Sequence, residues 1–181
     1  MSKLKTFVIS CAAAVSAVFM TGAPSSCDPE NWLDPDRYDE LQRPAHARIT
    51  IHSIVKYRQG DMTEQTIPTY TKEKITVGAP WLTSKEIEHI DIRPRPGKPG
   101  YYDLLLTLSQ KGRREWIMLS NAHQNDNIAF VIDGVFYRSF RPRLLLNESD
   151  VQVLIDGPFD QATARELAWN SEFNYIKINR L

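Results

Sequence analysis

The sequence contains little cysteine and no excess of charge of either sign, and both features exclude classes of protein. Only two cysteines occur among 181 residues, Cys11 and Cys27, and both lie within the first 27 positions. No intramolecular disulfide can therefore stabilise the rest of the chain. Basic and acidic residues each number 22, so the formal net charge is zero. Because a neutral protein exerts no long-range attraction on nucleic acid, we expect no nucleic-acid partner.

Catalytic and metal-binding motifs are also lacking. The chain has no Gly-x-Ser-x-Gly elbow, no glycine-rich phosphate loop and no cysteine beyond position 27. None of the four histidines has zinc-site spacing; they are His46, His52, His89 and His123. We therefore predict that the protein is not an enzyme and that it requires neither a metal nor a cofactor.

One long hydrophobic run is present, and it lies at the N-terminus. Residues 1–5 carry two lysines, and residues 6–20, TFVISCAAAVSAVFM, are uncharged and mostly apolar. Small residues follow, before an acidic stretch that begins at Asp28. This order is typical of a secretory signal, so we predict a signal peptide over 1–26 and a location in a bacterial envelope, with an uncleaved membrane anchor as the alternative.

Cys27 is a candidate for lipid attachment. It follows Ser25 and Ser26 directly after the apolar run, as the acceptor cysteine of a bacterial lipoprotein does. Cys11 fits the lettering of that motif better, but it leaves almost no apolar segment ahead of it. We predict lipidation of Cys27, with Cys11 or an unmodified secreted protein as the alternatives. The acidic, proline-containing residues 27–45 are expected to form a flexible tether.

Residues 46–181 show the periodicities of a folded domain. Strands are predicted at 47–57, 73–80, 102–108, the two arms of 128–140, 151–155 and 174–178. Helices are predicted at 109–122 and 160–172, with a short helical turn opening at Thr83. Three prolines and two glycines make 93–100 a loop. This order predicts an α+β fold, with a mostly antiparallel or mixed sheet and two main helices packed on one face.

Several residues give these elements specific local predictions. Asp133-Gly134 is a type I′ turn signal, because both central positions of that turn need a positive φ. Ser109 and Asp160 are the expected N-caps of the two helices. Gly112 lies inside the first helix, where glycine costs about 1 kcal/mol relative to alanine, which indicates a packing reason for its presence.

The chain from about 75 to 179 resembles the head subdomain of the large periplasmic domain of SecD, a protein-export membrane component. Four segments occur in the same order as in that family: VGAPWLTSKEI, YYDLLLTLSQKGRREWIMLS, IAFVIDGVFYRSFRPR and VLIDGPFDQATARELA. The matching positions are Gly112, Trp116, Leu119, Ser120, Asp133, Gly134, Phe159, Asp160, Ala164, Leu167 and Ala168. SecD continues into transmembrane helices, which this chain lacks, so the resemblance implies an isolated head module. In SecD the head is thought to contact the emerging polypeptide.

Aromatic and arginine residues cluster in and after the 128–140 hairpin. Two Arg-Pro-Arg triplets also occur, at 93–95 and 141–143. If these arginines converge, they would form a cationic face beside exposed aromatic rings. The predicted partner-binding residues are Phe136, Tyr137, Arg138, Arg141 and Arg143.

The predicted function is therefore that of a non-catalytic envelope module which binds a polypeptide or an envelope protein, with a link to protein export. A small periplasmic enzyme with an unrecognised site is one alternative. A structural subunit of an envelope complex is the other.

Overall fold

The computed structural model describes residues 43–145 and 150–180. The predicted signal peptide, both cysteines and most of the predicted tether lie outside the described residues. The strands are β1 (Ile49–Ile54), β2 (Gln65–Pro68), β3 (Lys74–Thr83), β4 (Ile87–Pro94), β5 (Tyr101–Leu108), β6 (Ile128–Ile132), β7 (Val135–Phe140) and β8 (Gln152–Asp160). The helices are α1 (Gln110–Ala122) and α2 (Gln161–Arg180).

Five strands form a curved antiparallel sheet in the order β2-β3-β1-β6-β7. Its two edge strands approach each other, because Thr69, just after β2, forms a parallel bridge with Phe136 of β7. A five-stranded sheet can bring its edges together only by curling, and twist of the strands favours such curling. One face of the sheet is therefore concave, and a cavity of about 560 Å³ lies there, lined in part by Thr50, His52 and Val131.

Three strands form a second antiparallel sheet in the order β4-β5-β8. The central strand β5 carries Leu104, Leu105 and Leu106, all buried, as their consecutive apolar character predicted. Helix α2 packs along β4, and the Ile90 backbone N–H donates to the Ser171 hydroxyl at 3.2 Å. This contact satisfies an edge donor that would otherwise be free for another strand.

The main core joins both sheets and both helices. Its largest fully buried side chains are Trp116, Phe130 and Phe159. A smaller cluster packs on the other face of the curved sheet, around Val77 and Val131. Alternation along β6 explains the division, since successive strand residues point to opposite faces. The predicted α+β class with two main helices is confirmed. The division of the strands into two sheets is a finding of the structure.

The residues after Thr83 form a turn and not the predicted short helix. One bond of the reciprocal capping pattern is nonetheless present, because the Glu86 carboxylate accepts from the Thr83 backbone N–H at 3.0 Å. The same carboxylate also accepts from the Thr83 hydroxyl, at 2.7 Å. The chain then enters β4, which the sequence analysis missed. The prediction of a helical turn was therefore wrong, because pairing with β5 places the eight residues after Glu86 in a strand.

Buried Glu86 and helix α1 explain the glycine at 112. The Lys111 amine donates to the Glu86 carboxylate at 3.0 Å. Burial by itself raises the pKa of this carboxyl, but the Thr83 and Lys111 hydrogen bonds leave it below its usual value. A Cβ on Gly112 would lie 2.8 Å from both Cβ and the carbonyl oxygen of Glu86. The predicted packing reason for Gly112 is therefore this close approach.

The end of the chain is helical and not the predicted strand at 174–178. Helix α2 continues through Arg180, with its buried face extended by Ser171 and Asn174. No glycine or proline interrupts residues 161–180, so nothing in the local sequence ends the helix after 172. The alternation of Tyr175, Ile176 and Ile178 was too short a signal to distinguish a strand from a helix.

The predicted turn and caps are confirmed. Asp133 and Gly134 have φ values of 47° and 80°, as a type I′ turn requires. The Ser109 hydroxyl accepts from the Gly112 backbone N–H at 3.2 Å, and the Asp160 carboxylate accepts from the Thr163 backbone N–H at 2.9 Å.

In the described part of the chain, neither helix is long and apolar enough to span a membrane.

Candidate interaction surface

The structure separates the five predicted partner-binding residues into two groups. Tyr137, Arg138 and Arg143 lie beside β8, where the curved sheet meets the three-stranded sheet. Phe136 points to the other face of β7 and packs against the smaller core cluster. Arg141 donates to the Asn125 carbonyl oxygen at 3.4 Å, away from β8. Phe136 and Tyr137 thus lie on opposite faces of β7, and both side chains are half-buried.

A bulge in β7 positions Tyr137 and Arg138. Arg138 pairs with Phe130 of β6, and Phe136 pairs with Val131, so Tyr137 is an extra residue without a partner in the register. Such a bulge disturbs the strict alternation of side chains. Tyr137 and Arg138, although adjacent in sequence, both contact the ring of Phe159.

Tyr137 is held by two rings and a carboxylate. Its ring stacks on Phe159 with centroids 5.5 Å apart and an interplanar angle of 3°, and the edge-on ring of Tyr70 lies 6.2 Å away. The Tyr137 hydroxyl donates to the Asp160 carboxylate at 2.8 Å. Burial, with the Asp160 hydrogen bond, raises the pKa of the Tyr137 phenol. At physiological pH the Tyr137 phenol is therefore neutral, and these contacts hold its ring in one orientation.

Arg138 lies over the same buried ring. Its guanidinium carbon is 5.2 Å from the centroid of Phe159, within the range of a cation–π contact. One terminal nitrogen, Nη1, donates to the Pro158 carbonyl oxygen at 3.0 Å. Burial, followed by the neighbouring positive charge of Arg95, lowers the pKa of Arg138. The lowered pKa reflects a cation that is partly removed from water without full compensation.

One arginine from each Arg-Pro-Arg triplet flanks Arg138. Arg95 contacts Asp103 at 2.9 Å, and Arg143 holds Asp156 through two nitrogens at 2.7 and 2.8 Å. The Asp103 carboxylate also accepts from the Gly157 backbone N–H, so both ion pairs lie at the middle of β8. The two triplets therefore do contribute to one area, but each contributes one arginine that is already paired with an aspartate.

We call this area the Tyr137–Arg138 surface, defined by Tyr70, Arg95, Tyr137, Arg138 and Arg143. Tyr70 is 69% exposed, and the others are partly or largely accessible. Sequence reasoning missed Tyr70, because the curling of the five-stranded sheet is what brings the chain after β2 to β7. No local sequence signal indicates that approach.

The histidines lie apart from this surface. His52 is buried in the curved sheet, with Nδ1 2.9 Å from the Gly78 carbonyl oxygen and Nε2 2.8 Å from the Thr50 hydroxyl. Burial lowers the pKa of His52. Within 43–145 and 150–180, no group of three or more histidine, aspartate or glutamate side chains is arranged to hold a metal ion.

The sequence matches no protein-family model and no curated protein, but the structure is similar to solved SecDF structures. One is of SecDF, a membrane component that enhances protein export; it has 16% identity and a TM-score of 0.49, with 83% of this chain and 70% of that chain covered. SecDF from Thermus thermophilus, a translocon-associated membrane protein, has 13% identity and a TM-score of 0.47, covering 79% of this chain and 21% of that chain.

A crystal structure of SecDF in its super-membrane-facing form gives a TM-score of 0.50 at 16% identity. That alignment covers 77% of this chain but only 20% of the SecDF chain, so this chain corresponds to a small part of that larger protein. The resemblance that the sequence predicted is confirmed at the level of the fold. The described part of this chain is an α+β domain with a SecDF-like fold.

Proposed function

We propose that this chain is a non-catalytic envelope protein whose SecD-head-like domain binds an extended polypeptide on the Tyr137–Arg138 surface. The observation that carries the proposal is the grouping of Tyr70, Tyr137 and Arg138 at the junction of the two sheets. Tyrosine and arginine are the residues that most often dominate binding energy at protein interfaces. Strand β7 holds Tyr137 and Arg138 in place, which lowers the entropy lost on binding, and Tyr70 lies in the turn that follows β2.

The neighbouring strand supports an extended conformation of the bound segment. Strand β8 is the last strand of the three-stranded sheet, and its only strand partner among the described residues is β5. An edge strand can accept an added strand through its main-chain groups, while nearby pockets select side chains. The Tyr137 hydroxyl donates to Asp160, the last residue of β8, and the Tyr70 ring packs against Tyr137, so both rings lie close to this strand.

The link to protein export is part of the same proposal. SecDF is described as enhancing protein export and as associated with the translocon. A domain of similar fold, exported and attached to a membrane, would be placed where it could meet a polypeptide that has crossed. Its partner would be either that polypeptide or an extended segment of another envelope protein.

Lipid attachment at Cys27 gives this proposal a test in cells. Cells that express the full chain are labelled with a palmitate analogue, and the wild type is compared with Cys27→Ser. We expect label on the wild type and none on the variant, because the thiol of Cys27 is the proposed acceptor. Equal labelling of both proteins, with loss of label in Cys11→Ser, would assign the lipid to Cys11.

Binding at the Tyr137–Arg138 surface is tested with an unfolded polypeptide. The probe is a fluorescent protein substrate kept unfolded by reduction and carbamidomethylation of its cysteines. We expect Tyr70→Ser combined with Tyr137→Leu to weaken binding about ten-fold, since each lost aromatic contact contributes about 0.5–1.5 kcal/mol. Leucine at 137 keeps an apolar side chain over Phe159, and fluorescence anisotropy gives the affinity.

Tyr57→Ser is the matched control. Tyr57 is 84% exposed on the loop between β1 and β2, and it belongs to a different surface. This variant should bind like the wild type. If the double variant also binds like the wild type, the bound segment lies elsewhere and the surface assignment is wrong.

A further inference from the structure

We propose that the polypeptide bound at the Tyr137–Arg138 surface is acidic, and that Arg138 selects it by binding an aspartate or glutamate side chain. This inference rests on the proposed function and adds the chemical class of the partner. It makes Arg138 the specificity-determining residue of the surface.

Arg138 is the cation of this surface that has no ion pair with any residue that the structure describes. Its hydrogen bonds in the described part of the chain go to neutral carbonyl oxygens, at 3.0 Å to Pro158 and 3.4 Å to Ser139. No carboxylate oxygen of the described residues lies within 4.0 Å of its guanidinium nitrogens, whereas Arg95 and Arg143 each contact one. The two nearest aspartates are thus already used by other partners.

Those aspartates are not free to turn toward Arg138. Asp103 accepts from the Arg95 guanidinium and from the Gly157 backbone N–H. Asp156 receives two parallel hydrogen bonds from Arg143, the arrangement in which arginine and carboxylate bind most specifically. Turning either aspartate toward Arg138 would disturb the hydrogen bonds that hold its carboxylate, so a carboxylate from a partner is the better ligand for Arg138.

The position of Arg138 strengthens the ion pair that it would form with that carboxylate. A guanidinium over the Phe159 ring has exchanged part of its water for an aromatic face. A partly desolvated charge gains more from an ion pair than a fully hydrated one does, because the effective dielectric is lower. Arg138 Nη2 makes no hydrogen bond with the described residues and is the group that can donate to the partner.

The flanking rings define the neighbours of the acidic residue. The Tyr70 ring packs edge-on against Tyr137, which contacts the same Phe159 ring as the Arg138 guanidinium, and both tyrosines present apolar surface. Since the side chains of an extended segment alternate in direction, residues two positions from the carboxylate lie on the same side as it does. The best ligands are therefore extended segments in which an acidic residue is followed or preceded, two positions away, by an aromatic or aliphatic residue.

Two synthetic peptides test the proposal with the folded full-length protein. The acidic probe is Ac-Ser-Thr-Phe-Thr-Asp-Thr-Phe-Thr-Ser-NH₂, whose aspartate has a phenylalanine two positions away on each side, and the neutral probe has asparagine in place of the aspartate. The wild type is expected to bind the acidic probe about ten-fold more tightly, as a charge-assisted hydrogen bond is roughly twice as strong as a neutral one. In Arg138→Gln the two probes should bind equally, and Arg138→Lys should keep part of the preference.

Arg114→Gln is the control for overall charge. Arg114 is exposed on α1, beside Gln110 and Ile117, and its removal changes the net charge of the protein by the same amount. This variant should retain the full preference for the acidic probe. If both Arg114→Gln and Arg138→Gln lost the preference equally, the preference would come from the overall charge of the protein, and the inference would be overturned.

The remaining outcomes separate this inference from the proposed function. Equal binding of both probes by the wild type would refute selection of acidic segments, while leaving polypeptide binding in place. Failure of both probes to bind would refute both proposals. A preference that persists in Arg138→Gln would show that another residue makes the selection. The comparison of the two probes on the wild type needs no variant, so it holds even if Arg138→Gln folds poorly.

Discussion

Phe159→Ala is expected to lower the free energy of unfolding by about 3–5 kcal/mol, the usual cost of removing a fully buried phenylalanine ring. The ring is 0% exposed and has Phe130 at 5.3 Å and Tyr137 at 5.5 Å, measured between centroids. It also lies under the guanidinium of Arg138. Its loss should therefore remove both stability and polypeptide binding, which urea denaturation and fluorescence anisotropy would measure.

Trp169→Ala is the control for this change. Trp169 is 80% exposed on α2, so its removal should change the free energy of unfolding by less than about 0.5 kcal/mol. Phe159→Leu should retain more stability than Phe159→Ala, because most of the buried volume is kept. If Phe159→Ala were as stable as Trp169→Ala, the described packing of the two sheets through Phe159 would be wrong.

Gly157→Ala is expected to cost about 3 kcal/mol or more, at the upper end of what overpacking costs. A Cβ at this position would collide with the backbone carbonyl oxygen of Tyr102, and it would lie 2.9 Å from both Asp103 Oδ1 and the Phe159 backbone nitrogen. Backbone atoms of a paired strand cannot move aside as the end of a side chain can. The substitution should also displace Asp103 and loosen its ion pair with Arg95.

Gly78→Ala is the matched control, because this glycine too lies in a strand and has no positive φ. Its added Cβ would meet only the Ser53 hydroxyl oxygen, at 2.8 Å, and that side chain can rotate. We expect a loss below about 1 kcal/mol, again by urea denaturation. Equal stability of the two glycine variants would contradict the close approach of β5 and β8 at Gly157.

Both substitutions act where the interaction surface is attached to the core. Gly157 and Phe159 belong to β8, and the surface residues contact this strand from β7 and from the segment after it. The Trp116 indole N–H donates to the Arg143 carbonyl oxygen at 2.9 Å, which holds that segment against the core. The rigidity of the surface therefore depends on the core packing beneath it. Substitutions that disrupt this packing should also weaken polypeptide binding at the surface.

Features that depend on a few neighbouring residues could be predicted from the sequence. The Asp133-Gly134 turn, the Ser109 and Asp160 caps and the buried strand at Leu104–106 all have local causes. The wrong predictions concern where one helix or strand ends and what type of secondary structure follows it. The residues after Glu86 became a strand, and those after 173 stayed in a helix. Both outcomes depend on packing against β5 or β4, which lie elsewhere in the sequence.

The sequence by itself determined which segments supply residues to the interaction surface. They are an aromatic hairpin, two Arg-Pro-Arg triplets and a phenylalanine before the last helix. Only the tertiary structure decided which of them meet. Curling of one sheet brings Tyr70 to Tyr137, and a bulge places Tyr137 and Arg138 over the same ring. Arg95 pairs with Asp103 and Arg143 with Asp156, which leaves Arg138 as the arginine of this surface without an ion pair among the described residues. These contacts join strands far apart in the chain, and short-range patterns carry no information about such distances.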